Sequence, residues 1–128
     1  MNSSVPVSIL GMNSYAKGVL RLEDEELVLD FGVMSQWSWR MSQPKQVHIR
    51  LEEVEALEFK KGIFPFHPTL RLRVRNLELL ASVPGSDGAE ITLSCKRRYR
   101  HIAQELANYV TLQLLERVIG SRAQPAIP

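Results

Sequence analysis

Arg71, Arg73 and Arg75 occupy alternate positions in the segment LRLRVR. On an extended chain they project from one face about 7 Å apart, a spacing that can grip a row of carboxylates or phosphates. The same three can equally form a solvated strand face, paired across to Glu55 or Glu58 on a neighbouring strand. A second cationic group, Lys96, Arg97, Arg98, Arg100 and His101, stands where a helical pattern begins. Cations there oppose the helix dipole and cost a few tenths of a kcal/mol each when exposed. They form either a solvated face or a contact for an anionic partner: a membrane surface, RNA or an acidic protein. Only Tyr99 interleaves with them, so base stacking has little to work with.

Catalytic chemistry finds little support. His48, His67 and His101 are far apart in sequence, and His48 falls on an outward strand position. Cys95 falls on the inward side with Ile91 and Leu93, where a thiol behaves as a small inert hydrophobe. The chain holds no glycine-rich phosphate loop, no H-E-x-x-H, no G-x-S-x-G and no paired cysteine. The expectation is a non-enzymatic protein with no catalytic residue, metal ligand, cofactor or small-molecule substrate.

Two apolar groups point instead to contact with another macromolecule. Trp37, Trp39, Phe64 and Phe66 lie in irregular segments, where they either fold back over the core or stand exposed for a partner. Near the C-terminus, Tyr99, Ile102, Ala103, Leu106, Val110, Leu114 and Val118 recur in steps that put them on one stripe of a helix. Tyr109, Leu112, Leu115 and Ile119 lie on a different side of it. A helix over residues 97–119 runs roughly 34 Å. The mouth of a small barrel is about 15–20 Å across, judged from strand spacing. The last turns therefore overhang, apolar on two sides: an association surface if exposed, or a seat for the N-terminal segment.

The elements before the helix read as strands. Residues 1–14 are expected as an arm, disordered or laid on an apolar surface through Val5, Val7, Ile9 and Leu10. From Tyr15 the period is two: Leu20 and Leu22 against Lys17, Val19 and Arg21, then the acidic turn Glu23–Glu26, then Leu27, Leu29 and Phe31 against Val28, Asp30 and Gly32. Further strands hold Val47, Ile49 and Leu51; Leu57 and Phe59; Leu70, Leu72 and Val74; and Ile91, Leu93 and Cys95. Gly62–Pro68 is a loop because its two prolines and glycine oppose ladder pairing. Residues 76–83 suit a helical turn or two, and 120–128 a tail. Six or seven such strands with one apolar face must fold over as a barrel or orthogonal sandwich.

At 128 residues this is one domain, large enough to bury roughly two thirds of its unfolded surface. Sixteen basic against 14 acidic side chains are too balanced for a dedicated nucleic-acid binder. One cysteine, no signal-peptide pattern and no long apolar run lead to an expectation of a cytoplasmic protein.

The order of hairpin-linked strands followed by one long amphipathic helix resembles the pleckstrin-homology-like (PH-like) fold, and more narrowly a bacterial PH-like domain. The residues that carry the resemblance are GVLRLEDEELVLDF, IRLEEVEALEFKKG, LRLRV, the VPGS turn and the helix, together spanning about Tyr15–Ile119. Small lipocalin-like barrels are the rival, with more strands than this chain supplies. The resemblance implies a seven-stranded antiparallel barrel or orthogonal sandwich capped by the helix. Lipid-binding members offer Lys and Arg from the first hairpin loop, whereas here that loop is expected to be Glu23-Asp24-Glu25-Glu26, which repels phosphates. A protein-contact module is therefore expected, associating with itself through the helix end and the aromatic loops. The alternative is peripheral binding to anionic lipid or nucleic acid through Arg71, Arg73, Arg75 and Lys96–Arg100.

Overall fold

The computed structural model describes residues 4–10, 14–35, 44–63, 66–83 and 86–123. Seven strands run through it: β1 (Ser4–Leu10), β2 (Ser14–Glu23), β3 (Glu26–Ser35), β4 (Lys45–Arg50), β5 (Val54–Lys60), β6 (Thr69–Val74) and β7 (Glu90–Ser94). One helix, α1 (Arg100–Ala123), follows them. All neighbours pair antiparallel in the order β4-β3-β2-β1-β7-β6-β5. The sheet is not closed: β4 and β5 are its edges, joined through a single 3₁₀ turn at Leu51–Glu53. The protein is thus, as expected, a mainly antiparallel seven-stranded sheet capped by a C-terminal helix, with the sheet left open.

The segment expected as an arm is a strand. β1 pairs with β2 along its whole length and buries Val5, Val7 and Ile9. Pro6 argues against a central strand because it cannot donate to a ladder. The structure accommodates it because β1 meets β7 at one register pair, Ser8 with Ser94, so the strand is locally an edge at Pro6. This junction also joins the two parts of the sheet.

Elsewhere alternation sets the faces. Leu70, Leu72 and Val74 of β6 are buried while Arg71 and Arg73 turn outward, and Leu20, Leu22, Leu27, Leu29, Phe31, Val47 and Ile49 line the same core from β2, β3 and β4. Val28 departs from this rule. It lies on the outer face, yet it is buried between its register partners Arg21 and His48. At Gly18 the chain closes tightly on β3: a Cβ there would stand 1.8 Å from the Asp30 carbonyl oxygen. The β2–β3 turn is tight, with Asp24 and Glu25 both at positive φ (47° and 64°). That is the backbone of a two-residue hairpin turn whose twist matches the strands.

The segment after β6 makes one 3₁₀ turn at Leu77–Leu80, capped by the Asn76 side chain accepting from the Glu78 amide at 3.0 Å, and it buries Leu80. After β7 a 3₁₀ turn at Arg97–Tyr99 leads into α1, which continues to Ala123, past the expected end at Ile119. Ala103, Leu106, Ala107 and Val110 are buried against the sheet, with Tyr99, Tyr109 and Leu114 partly so. Ile102 and Val118, expected on the packed stripe, are exposed, and Ala107 takes a place in it. No described helix is long and apolar enough to cross a membrane.

Candidate functional site

α1 spans the molecule and gives it two unlike ends. At about 100° per residue, Ala103, Leu106, Ala107, Val110 and Leu114 share one side, and Leu112, Leu115 and Ile119 lie opposite. All three outward residues are about half exposed (Leu115 at 53%), whereas Leu106, on the packed side, is 1% exposed. Their steps of three and four repeat the spacing that brings two helices together along a seam. Tyr109 separates from this group, since it packs partly against the core.

Beneath the same half of α1 lies a groove of about 430 Å³. Leu51, Val54, Leu114 and Val118 form its apolar part, with Glu52, Glu55, Arg75 and Arg117 at the rim. A smaller cavity of about 230 Å³ shares Leu51, Glu52 and Arg117 and reaches the β2–β3 turn. There Arg117 meets Glu25 at 3.4 Å, tying the helix tail to the β2–β3 turn. The tail is therefore flanked by solvent on both faces.

The carboxylate-rich turn Glu23–Glu26 sits at this end. Because β1 is a strand, that turn belongs to the second hairpin rather than the first. β1 and β2 are linked by Gly-Met-Asn at 11–13, a sequence with no Lys or Arg that lies outside the described residues. The cations near the acidic turn are committed to carboxylates: Arg21 bonds Glu23 at 2.8 Å and pairs with Asp30, and Arg50 meets Glu52 at 3.4 Å.

The arginine row of β6 is likewise compensated. Arg71 reaches Glu90 at 2.9 Å and Arg73 approaches the same carboxylate at 3.8 Å. The partner lies across β7, not on β5 where Glu55 and Glu58 were expected. Arg75 is separated from the other two, lining the groove under the helix tail. The row thus does not present three equivalent free charges.

At the opposite end the start of α1 meets the β5–β6 loop. Arg97 donates from its guanidinium to the Phe66 carbonyl at 3.0 Å, and the Cys95 amide donates to the Pro68 carbonyl at 3.0 Å. The Phe66 amide closes back on the Ile63 carbonyl at 2.8 Å. Gly62 makes the turn possible: its φ is +70°, and a Cβ would stand 2.7 Å from the His67 carbonyl oxygen. Lys96, Arg98, Arg100 and His101 are exposed around this loop, with Arg98 over the Tyr99 ring at 5.0 Å from its centroid. Phe66 is therefore grouped with the cations, not with the helix tail. Trp37, Trp39 and Phe64 lie outside the described residues. Lys60, Lys61 and Ile63 belong to this end too, and their grouping depends on strand register, which periodicity does not reveal.

The histidines do not converge. His48 sits on β4, its ring nitrogens 3.1 Å from Glu26 Oε2 and 2.7 Å from Gln46 Oε1, while His67 and His101 are exposed at the basic end. Among the described residues no three His, Cys, Asp or Glu side chains are placed to hold a metal ion. Cys95 is buried, and burial pushes its thiol pKa up, disfavouring the nucleophilic thiolate.

No protein-family model, curated protein or solved structure matches this chain.

Proposed function

We propose that this chain is a non-enzymatic, PH-like interaction module that pairs with a second copy of itself through the outward face of α1. The observation that carries the proposal is the half-exposed row Leu112, Leu115 and Ile119 on the side of the helix facing away from the sheet. A surface helix in a lone domain needs one apolar stripe; this one has two, and the second has no cover among the described residues. The row also suits an identical partner. The row itself, Asn108, Leu112, Leu115 and Ile119, is uncharged, with Glu116 at its flank, so two copies related by a two-fold axis can bring their apolar residues together.

The PH-like part of the proposal rests on the run of seven antiparallel strands followed by one long helix. A bacterial cytoplasmic setting belongs to the same proposal, with the single, buried, unpaired Cys95 as its support. Trp37, Trp39 and Phe64 are not needed for the contact.

Sedimentation velocity of the full chain at micromolar concentrations tests it. A concentration-dependent dimer is expected, and Leu112→Glu with Leu115→Glu should return it to monomer with the thermal midpoint unchanged. A wild type that stays monomeric throughout, or a dimer indifferent to both substitutions, overturns the proposal.

A further inference from the structure

The basic end of the molecule is separate from the helix tail. In register, Lys60 of β5 stands beside Thr69 of β6, and Thr69 beside Ser94 of β7. The segments leaving these three strands, residues 60–69 and 94–104, therefore emerge together. They carry Lys60, Lys61, Lys96, Arg97, Arg98 and Arg100, six of the 16 Lys and Arg of the chain, and none of its 14 Asp and Glu. The rest of the chain holds ten cations against fourteen carboxylates, so the modest net charge conceals a strong separation. The nearest carboxylates along the chain, Glu58 and Glu105, fall outside both segments.

On the same segments two apolar side chains stand in water. Ile63 is 83% exposed and Phe66 is 73% exposed, the two most exposed large hydrophobic residues described. Hydrogen bonds fix the backbone at both: the Phe66 amide bonds the Ile63 carbonyl and Arg97 grips the Phe66 carbonyl, while Gly62 supplies the positive φ. Exposed apolar tips on segments that also carry exposed Lys and Arg match the two demands of a lipid surface. Anionic headgroups attract the cations over about a Debye length, and the apolar tip then enters the headgroup–acyl boundary. Either contact alone is weak, whereas an apolar insertion combined with a polybasic patch gives stable attachment. A nucleic-acid partner would use the cations but leave Ile63 without a role.

We infer that the β5–β6 loop, with the start of α1, is a peripheral docking site for an anionic membrane, Ile63 and Phe66 entering the bilayer and Lys60, Lys61, Lys96 and Arg98 contacting headgroups. Arg97 is a positioning residue that fixes the loop. The β6 arginines take no part.

Co-sedimentation of the full chain with phosphatidylcholine vesicles, with and without phosphatidylglycerol, tests the inference. The expected result is binding only when phosphatidylglycerol is present, abolished by molar salt. Lys60→Ala and Lys61→Ala should each weaken it about fivefold. Phe66→Ser should weaken it about tenfold through lost apolar burial. Arg50→Ala, at the other end, should change nothing. All four side chains are exposed, so thermal midpoints near wild type are expected and verify folding. Absence of vesicle binding at low salt overturns the inference. Binding that loses its strength with the lysines yet ignores Phe66→Ser also overturns it, and RNA retention by that variant would redirect the site to nucleic acid. The Leu112→Glu/Leu115→Glu variant bears on the helix tail alone: vesicle binding by it separates failure of self-association from failure of docking.

Discussion

The two halves of α1 are built from similar residues and meet different fates. In the first half, Ala103, Leu106, Ala107 and Val110 are buried against the sheet; in the second, Leu112, Leu115, Val118 and Ile119 are exposed. Leucine at 106 and leucine at 115 have the same intrinsic preference for helix and for burial. What separates them is how far the sheet extends beneath the helix axis, and on which side of that axis each residue falls. Burial is a property of the opposing surface as much as of the side chain, and apolar periodicity reports only what a residue can do.

The largest expected contrast is between truncations in the two halves. Leu106→Ala should destabilise the protein by about 2–5 kcal/mol, through lost transfer energy and a residual cavity. Leu115→Ala should stay within about 0.5 kcal/mol, as for a surface position. Chemical denaturation of both variants, at a concentration where each is monomeric, makes the comparison. Similar losses in the two would mean that the tail is packed within its own chain, and the contrast would collapse.

A smaller effect concerns the turn that lies under the tail. Glu25 holds a φ of 64°, which costs a side-chain-bearing residue about 1 kcal/mol or more that glycine does not incur. Glu25→Gly should therefore raise stability by about 0.5–1 kcal/mol despite losing the contact with Arg117. A fall in stability would show that the tail tie outweighs the backbone strain.

The smallest is the tie itself. Arg117 and Glu25 are 3.4 Å apart with both side chains well exposed, so solvent and salt screen the pair. Arg117→Ala should cost less than about 0.5 kcal/mol, and amide exchange over residues 111–123 should quicken slightly while residues 103–110 stay protected. Unchanged exchange in the tail would show that helix hydrogen bonding alone sets its order.

Much of the fold was legible because period-two alternation is a local signal. β6 is the clearest instance, where LRLRV assigns every side chain to a face without knowledge of its neighbours. β1 was missed although Val5, Val7 and Ile9 alternate cleanly, since Pro6 weighs against a strand until the free edge beside it is known. That omission also shifted the hairpin count and misplaced the acidic turn as the first loop. Val28 escaped because its burial comes from Arg21 and His48 on two other strands.

The candidate sites divide in the same way. Leu112, Leu115 and Ile119 were identifiable because a helix fixes which residues share a side. The grouping of Phe66 with Lys60, Lys96 and Arg98 was not, since those residues lie on segments about thirty positions apart. Likewise, the choice of Glu90 rather than Glu55 or Glu58 as partner to Arg71 depends on which strand flanks β6 on its other side.

By itself the sequence determined the kinds of element, the inward and outward faces of most strands, and a helix with more apolar surface than one contact needs. These follow from neighbouring residues alone, because backbone geometry repeats every two or 3.6 positions. Tertiary structure alone decided strand order, the place of β1, and where the helix outruns its support. It also decided that the acidic β2–β3 turn lies at one end and the Lys96–Arg100 cations at the other. Those outcomes depend on contacts between distant segments, and no local period encodes which distant segment arrives.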